Sequence, residues 1–188
     1  MKIKSIIKSI IPSKYHSTII NLIKGYSTLS YSQEGEDLLL KRIFESKTSD
    51  GFYVDVGAHH PKRFSNTYLF YKLGWRGINI DAMPGSMKLF NSVRPRDINI
   101  EIPISEKKEI LTYYAFSEPA LNTFSREYGE FRSLEMQNHL LFKRDIETET
   151  LEKILDTYLP KDQIIDFLTV DVEGLDLEVL KSNNWEKY

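Results

Sequence analysis

The stretch Gly51-Phe52-Tyr53-Val54-Asp55-Val56-Gly57-Ala58-His59-His60-Pro61 constrains this chain more than any other. A turn residue leads into residues suited to a buried strand, and the strand breaks at a glycine. In open α/β sheets, nucleotides bind where such strands empty into glycine turns, at the carboxyl ends of the strands. Gly57 can take backbone angles closed to other residues and lets a ligand approach the main chain. Asp55 sets a carboxylate near the strand's end. Taken alone, the pattern fits plain strand-to-helix packing equally well.

Downstream the pattern repeats. Ser65-Asn66-Thr67 precedes Tyr68, Leu69, Tyr71 and Leu73, whose spacing predicts a helix closed by Gly74. Trp75-Arg76-Gly77 then turns the chain into a short strand, Ile78–Asp81. The interval from Asp55 to Asp81 is that of one right-handed strand–helix–strand unit. An acid at the end of the second strand is where a ribose is held, its carboxylate accepting from both hydroxyls. Strand-end acids also serve as loop caps, and for Asp81 alone both readings stand. A helix follows Pro84 through Met87, Leu89 and Phe90, and residues 98–105 read as a third strand. Ser105, past its end, borders an adenine or is simply a turn serine. Leu111–Phe116 is a solvent-edged strand by its alternation and aromatic content, followed by a loop over 120–125.

Residues 126–146 are charged and mixed, and two readings are open: a mobile segment over the site or a surface excursion. Thr148–Tyr158 has helical spacing and is closed by Pro160. Ile164–Val172 is nearly continuous apolar sequence, expected of a central parallel strand covered on both faces. It ends in Asp171, Glu173 and Gly174, and a helix begins at Leu175.

Upstream, the first thirty residues carry Lys2, Lys4, Lys8, Lys14 and Lys24, and the first acid is Glu34. Ile3, Ile6, Ile7, Ile10 and Ile11 fall at helical spacing until Pro12, and a second short helix is expected near Ile19–Ile23. Residues 1–30 are thus expected to form a basic amphipathic helical extension ahead of a domain over 31–188. That extension packs on the domain or a partner, or residues 1–24 lie on an anionic membrane surface. The apolar run is too interrupted for a transmembrane span or signal peptide. Next, Tyr31–Asp37 reads as a helix start with acids near its positive end. A capped helix does not account for Gln33 and Gly35, so a ligand-facing turn is also open.

Composition removes other classes. A net charge of -2 argues against nucleic acid as a partner. The chain has no cysteine, which excludes disulfides, thiolate catalysis and zinc–thiolate sites. With four histidines and no HExxH pair, no metal is expected. A cytoplasmic location fits, membrane-associated if residues 1–24 lie on lipid.

The order of motifs resembles the FkbM family of S-adenosylmethionine-dependent methyltransferases. The pieces are SQEGED (32–37), GFYVDVGAHHP (51–61), SNT (65–67), GWRGINID (74–81), RPRDIN (94–99), NTF (122–124) and DFLTVDVEG (166–174). The resemblance implies a Rossmann-like class I methyltransferase sheet with S-adenosylmethionine as cofactor. It implies a cofactor cradle of Asp55, Gly57, Ala58, His59, Asp81, Ala82, Ser105 and Asp171, with Gly57 against the methionine part and Asp81 on the ribose. Many relatives place Glu-Pro where this chain has Asp81-Ala82; the shorter acid still accepts both hydroxyl protons. The implied reaction is O-methylation of a sugar, glycan or other small hydroxylated acceptor.

An alcohol acceptor needs its proton removed by a positioned base. Asp171, Glu173, His59 and His60 are the candidates. Sheets of this kind have seven strands, and here the fourth core strand is followed by one helix, so the domain is expected to be truncated. In the expected order 3-2-1-4, residues 164–172 form an apolar edge that a second copy or a partner would cover. An inactive fragment or interaction module is therefore an alternative. A nicotinamide-dependent oxidoreductase is another, although Gly57 stands without the fuller GxGxxG turn.

Overall fold

The computed structural model describes residues 11–23, 25–47, 49–134 and 139–188. By packing, the chain divides into residues 1–30 and 31–188. In the first unit, Pro12 is followed by a 3-10 turn, Ser13–Tyr15, and by helix α1 (His16–Ile23), none of whose residues is buried. The His16 ring donates from Nε2 to the Ile11 carbonyl at 2.7 Å. The helix expected over Ile3–Ile10 lies outside the described residues. Among the described residues, no helix is long and apolar enough to cross a membrane.

The second unit is built on β1 (Phe52–Val56), every residue of which is buried. It pairs in parallel with β2 (Arg76–Asp81) on one side and β6 (Phe167–Val170) on the other, and β2 pairs with β3 (Ile98–Glu101). The sheet order β3-β2-β1-β6 is the expected 3-2-1-4. Because side chains alternate along a strand, β1 feeds two cores. Phe52, Val54 and Val56 join Ile78 and Ile80 against Leu151, Ile154 and Leu155 of α6 (Leu151–Tyr158) and Val179 of α7 (Asp176–Lys181). On the other face Tyr53 packs with Trp75 and with Phe70 of α3 (Tyr68–Lys72). Leu40 of α2 (Glu36–Ile43) and Phe44 lie against them. Helix α4 (Ser86–Val93) contributes Met87 and Phe90, which pack with Ala58.

On the Tyr53 face the sheet also holds a buried polar network. Asp97 accepts from the Tyr53 hydroxyl (2.8 Å), the Gly77 amide (3.1 Å) and the Asn79 side chain (3.0 Å). Arg94, fully buried, donates to Asp97 at 2.8 Å, to the Tyr53 hydroxyl at 2.7 Å and to Thr67 Oγ1 at 3.0 Å. Thr67 Oγ1 donates to Asp55 Oδ2 at 2.6 Å. Every charged member is paired, as low dielectric requires, and Asn79 Oδ1 alone among these atoms is buried without a partner among the described residues.

Four stretches differ from the sequence expectation or go beyond it. The last strand spans Phe167–Val170 rather than 164–172. The carboxylate of Asp166 instead accepts from the Phe52 amide at 2.8 Å and from Lys47 Nζ at 2.6 Å. Its residues are half-buried, because it stands at the edge of the described sheet. The strand expected over 98–105 ends at Glu101, ahead of Pro103, which has no amide proton to give a ladder. The unassigned stretch 126–146 contains α5 (Arg126–Leu134) and most of β5 (Leu140–Glu147). β5 pairs antiparallel with β4 (Ile110–Phe116). The second half of β4 is buried rather than solvent-edged. Thr123 bridges to Tyr114, and α5 brings Gly129 so close that a Cβ there would lie 2.5 Å from the Tyr114 ring.

Candidate active site

A cavity of about 370 Å³ opens at the carboxyl ends of β1, β2 and β6. Its floor is the turn after β1. The amides of Gly57 and Ala58 both donate to the Ile80 carbonyl, at 2.9 and 3.0 Å, while the Asp171 amide donates to the Val56 carbonyl. Gly57 has φ +85°, and a Cβ there would lie 1.8 Å from the Asp171 carbonyl oxygen. The glycine is therefore demanded by the neighbouring strand-end turn within the protein itself.

Asp81 ends β2. Its Oδ2 accepts from the His59 amide at 2.9 Å and its Oδ1 from the Met83 amide at 2.8 Å. Two backbone donors hold the carboxylate, one on each oxygen, and a carboxylate has acceptor sites beyond two. Burial pushes this carboxyl up to about 6, partly opposed by those two amides. Asp55 is likewise pushed up to about 6 by burial, opposed by the Thr67 hydroxyl and the Arg94 charge.

Of the cradle residues expected from sequence, Asp55, Gly57, Ala58, His59, Asp81, Ala82 and Asp171 all line this cavity, and so does Glu173. Ser105 does not. It is buried, and its hydroxyl donates to Glu109 at 3.3 Å. The cavity is closed there by Ile102, Pro103 and Ile104. His60 stands outside the lining; its Nδ1 accepts from the Lys62 and Arg63 amides and braces the loop.

The base candidates occupy unequal surroundings. Glu173 accepts from Arg132 at 2.7 Å, and its carbonyl accepts from the Thr123 hydroxyl, also at 2.7 Å. His59, at φ +53°, stacks on Phe64, and its Nε2 is buried with no partner among the described residues. Burial, then the charges of Arg63 and His60, hold this imidazole below its ordinary value. Asp171 is exposed, and no side-chain hydrogen bond engages it among the described residues. Partial burial and then the neighbouring Glu173 push its carboxyl above the usual range.

Beyond β6 the walls come from segments the sequence marked only as motifs. Asn66 donates to Thr169 Oγ1 at 3.0 Å, and Asn122 accepts from the Phe116 amide at 2.8 Å. Tyr113 packs against Phe124 with the rings tilted by 40° and their centroids 4.8 Å apart, and both line the cavity. The loop after β1 is tied to the turn at 119–121 by a two-bond pair of Arg63 with Glu118, at 3.0 and 3.1 Å. Phe64 had no sequence signal at all; it lines the wall from a backbone with a positive φ of 56°.

Residues 55–188 match the Methyltransferase FkbM domain. The chain belongs to the FkbM methyltransferase family. No curated protein and no solved structure matches it. The mixed α/β fold with its four-stranded parallel sheet is consistent with the Rossmann-like sheet of such a methyltransferase. The matched span of this FkbM chain begins at Asp55, so the Tyr31–Asp37 turn precedes it.

Proposed function

We propose that this FkbM protein is an S-adenosylmethionine-dependent O-methyltransferase acting on a sugar or other small hydroxylated acceptor. The observation that carries the reading is Asp81, whose carboxylate faces the cavity beside the Gly57 turn with each oxygen held by one backbone amide. Two vicinal ribose hydroxyls are the donors this arrangement suits.

S-adenosylmethionine, when bound, supplies an electrophilic methyl group on a positively charged sulfur. Asp81 holds the ribose, the main chain at Gly57 and Ala58 borders the methionine part, and Ile102, Pro103 and Ile104 offer the adenine an apolar wall. The protein's remaining work is to hold an acceptor hydroxyl in line with the methyl and remove its proton as the new C–O bond forms. Asp171 suits the base role. It is exposed, free of competing side-chain bonds among the described residues, and raised toward the operating pH. Glu173 is committed to Arg132, and the His59 Nε2 is buried. On transfer the acceptor oxygen would gain the methyl, the electron pair of the broken C–S bond would stay on sulfur to leave a neutral thioether, and the hydroxyl proton would pass to Asp171.

Titration calorimetry with S-adenosylhomocysteine tests the reading, with NAD as the control. Binding of the first and not the second is expected; the reverse makes the chain an oxidoreductase, and binding of neither makes it a non-catalytic module. Asp171→Asn should lower turnover by about 10²–10⁴-fold while S-adenosylhomocysteine affinity stays within a few-fold. A variant that loses affinity instead assigns Asp171 to the cofactor.

A further inference from the structure

The turn ahead of α2 contains two sets of side chains. Asp37 is fully buried and accepts from the Tyr31 amide at 2.7 Å and the Ser32 hydroxyl at 3.0 Å, which builds the turn. Gly35, at φ +93°, occupies the cap position and offers no side chain to it. Gln33, Glu34 and Glu36 line the cavity. The Glu34 amide donates to Glu36 Oε2 at 2.9 Å, which fixes that carboxylate on the turn.

The cavity's charge is one-sided. Glu34, Glu36, Asp55, Asp81, Asp171 and Glu173 line it, and among the described residues no lysine or arginine does. Arg63 and Arg132, on neighbouring segments, are paired with Glu118 and Glu173. Glu36 also acts on Asp171 as a like charge, so the turn and the strand end face a common space. An ionised carboxylate only accepts hydrogen bonds, so a ligand seated between them has to donate. An anionic group there would meet like charges in a partly desolvated site.

We infer that the turn Gln33–Glu36 forms the acceptor side of the cavity and selects an uncharged or cationic hydroxylated acceptor, a polyol or amino sugar, over one bearing carboxylate, sulfate or phosphate. This rests on the methyltransferase reading and names the acceptor class for the same site. Gln33 and Asn66, able to donate and accept, supply the orientation that carboxylates alone leave open.

Methyl-labelled S-adenosylmethionine is incubated with the full chain and an oligosaccharide pool divided by ion exchange into neutral, basic and acidic fractions. The expected result is label in the neutral or basic fraction exceeding the acidic one by roughly tenfold or more. The double variant Glu34→Gln, Glu36→Gln should narrow that ratio while S-adenosylhomocysteine still binds it in calorimetry, a readout that also reports folding. Equal or greater label in the acidic fraction, no label in any fraction, or an unchanged ratio in the folded variant overturns the inference. Where S-adenosylhomocysteine binds the parent chain, such an outcome removes the acceptor assignment alone; where it does not bind, the methyltransferase reading has failed first.

Discussion

At the scale of single residues, the site depends on carboxyls held where water is scarce. Asp81 has a raised value of about 6 because burial outweighs its two amide donors. Hydroxyl donors from a ribose would favour the ionised form, so a cofactor held as proposed would lower this value. Binding therefore takes place without proton exchange above about pH 6. Below that it releases a proton, and affinity falls by up to about tenfold per pH unit. Calorimetry with S-adenosylhomocysteine between pH 7.5 and 5 measures this directly. Asp81→Asn should bind more weakly and flatten the profile; a parent profile already flat across that range would mean Asp81 does not hold the ribose.

At the scale of elements, the RPRDIN stretch is a structural anchor. Arg94 closes α4, Asp97 precedes β3, and their 2.8 Å ion pair has no exposed side-chain surface. Through Thr67 the same guanidinium supports Asp55 at the cavity. Removing one partner of a buried pair leaves an uncompensated charge, so Arg94→Met should cost about 3–5 kcal/mol in urea unfolding. The Tyr53, Gly77 and Asn79 donors around Asp97 set the lower end of that range. A cost under about 1 kcal/mol would show that those three neutral donors suffice to hold the carboxylate.

At the scale of the whole second unit, the sheet forms one side of the cavity, and the segment from β4 through β5 closes over another. The two meet at Glu173-Gly174. Glu173 pairs with Arg132 of α5, and Gly174, at φ +108°, lies where a Cβ would be 2.6 Å from the Tyr128 ring. Gly174→Ala both strains the backbone and pushes on α5. Hydrogen exchange should show faster exchange across Arg126–Leu134 while β1 and β2 keep their protection, since local opening need not involve the central strands. Unchanged protection in α5 would mean that the segment from β4 through β5 tolerates the methyl.

Much of the sheet was legible because its strands announce themselves. β1 and β2 are short apolar runs ending in an acid, and burial on both faces leaves such runs few alternatives. Asp55, Gly57, Asp81 and Asp171 were legible for the same reason, since a strand's carboxyl end fixes where the next residues point. The cap was not. Residues 126–146 carry mixed charge, and their helix and strand are stabilised by contacts with Tyr114 and β4 that no local periodicity encodes. Ser105 shows the same limit: its position along the chain was right for the cavity, but Pro103 ends the ladder and turns it toward Glu109. By itself the sequence determined the strand order, the glycine turn and the family. Only tertiary packing decided that Gly57 makes room for the Asp171 carbonyl, that Arg132 occupies Glu173, and that the acidic turn at 33–36 faces the cavity. Such facts join residues far apart in the chain, and only folding brings them within reach of one another.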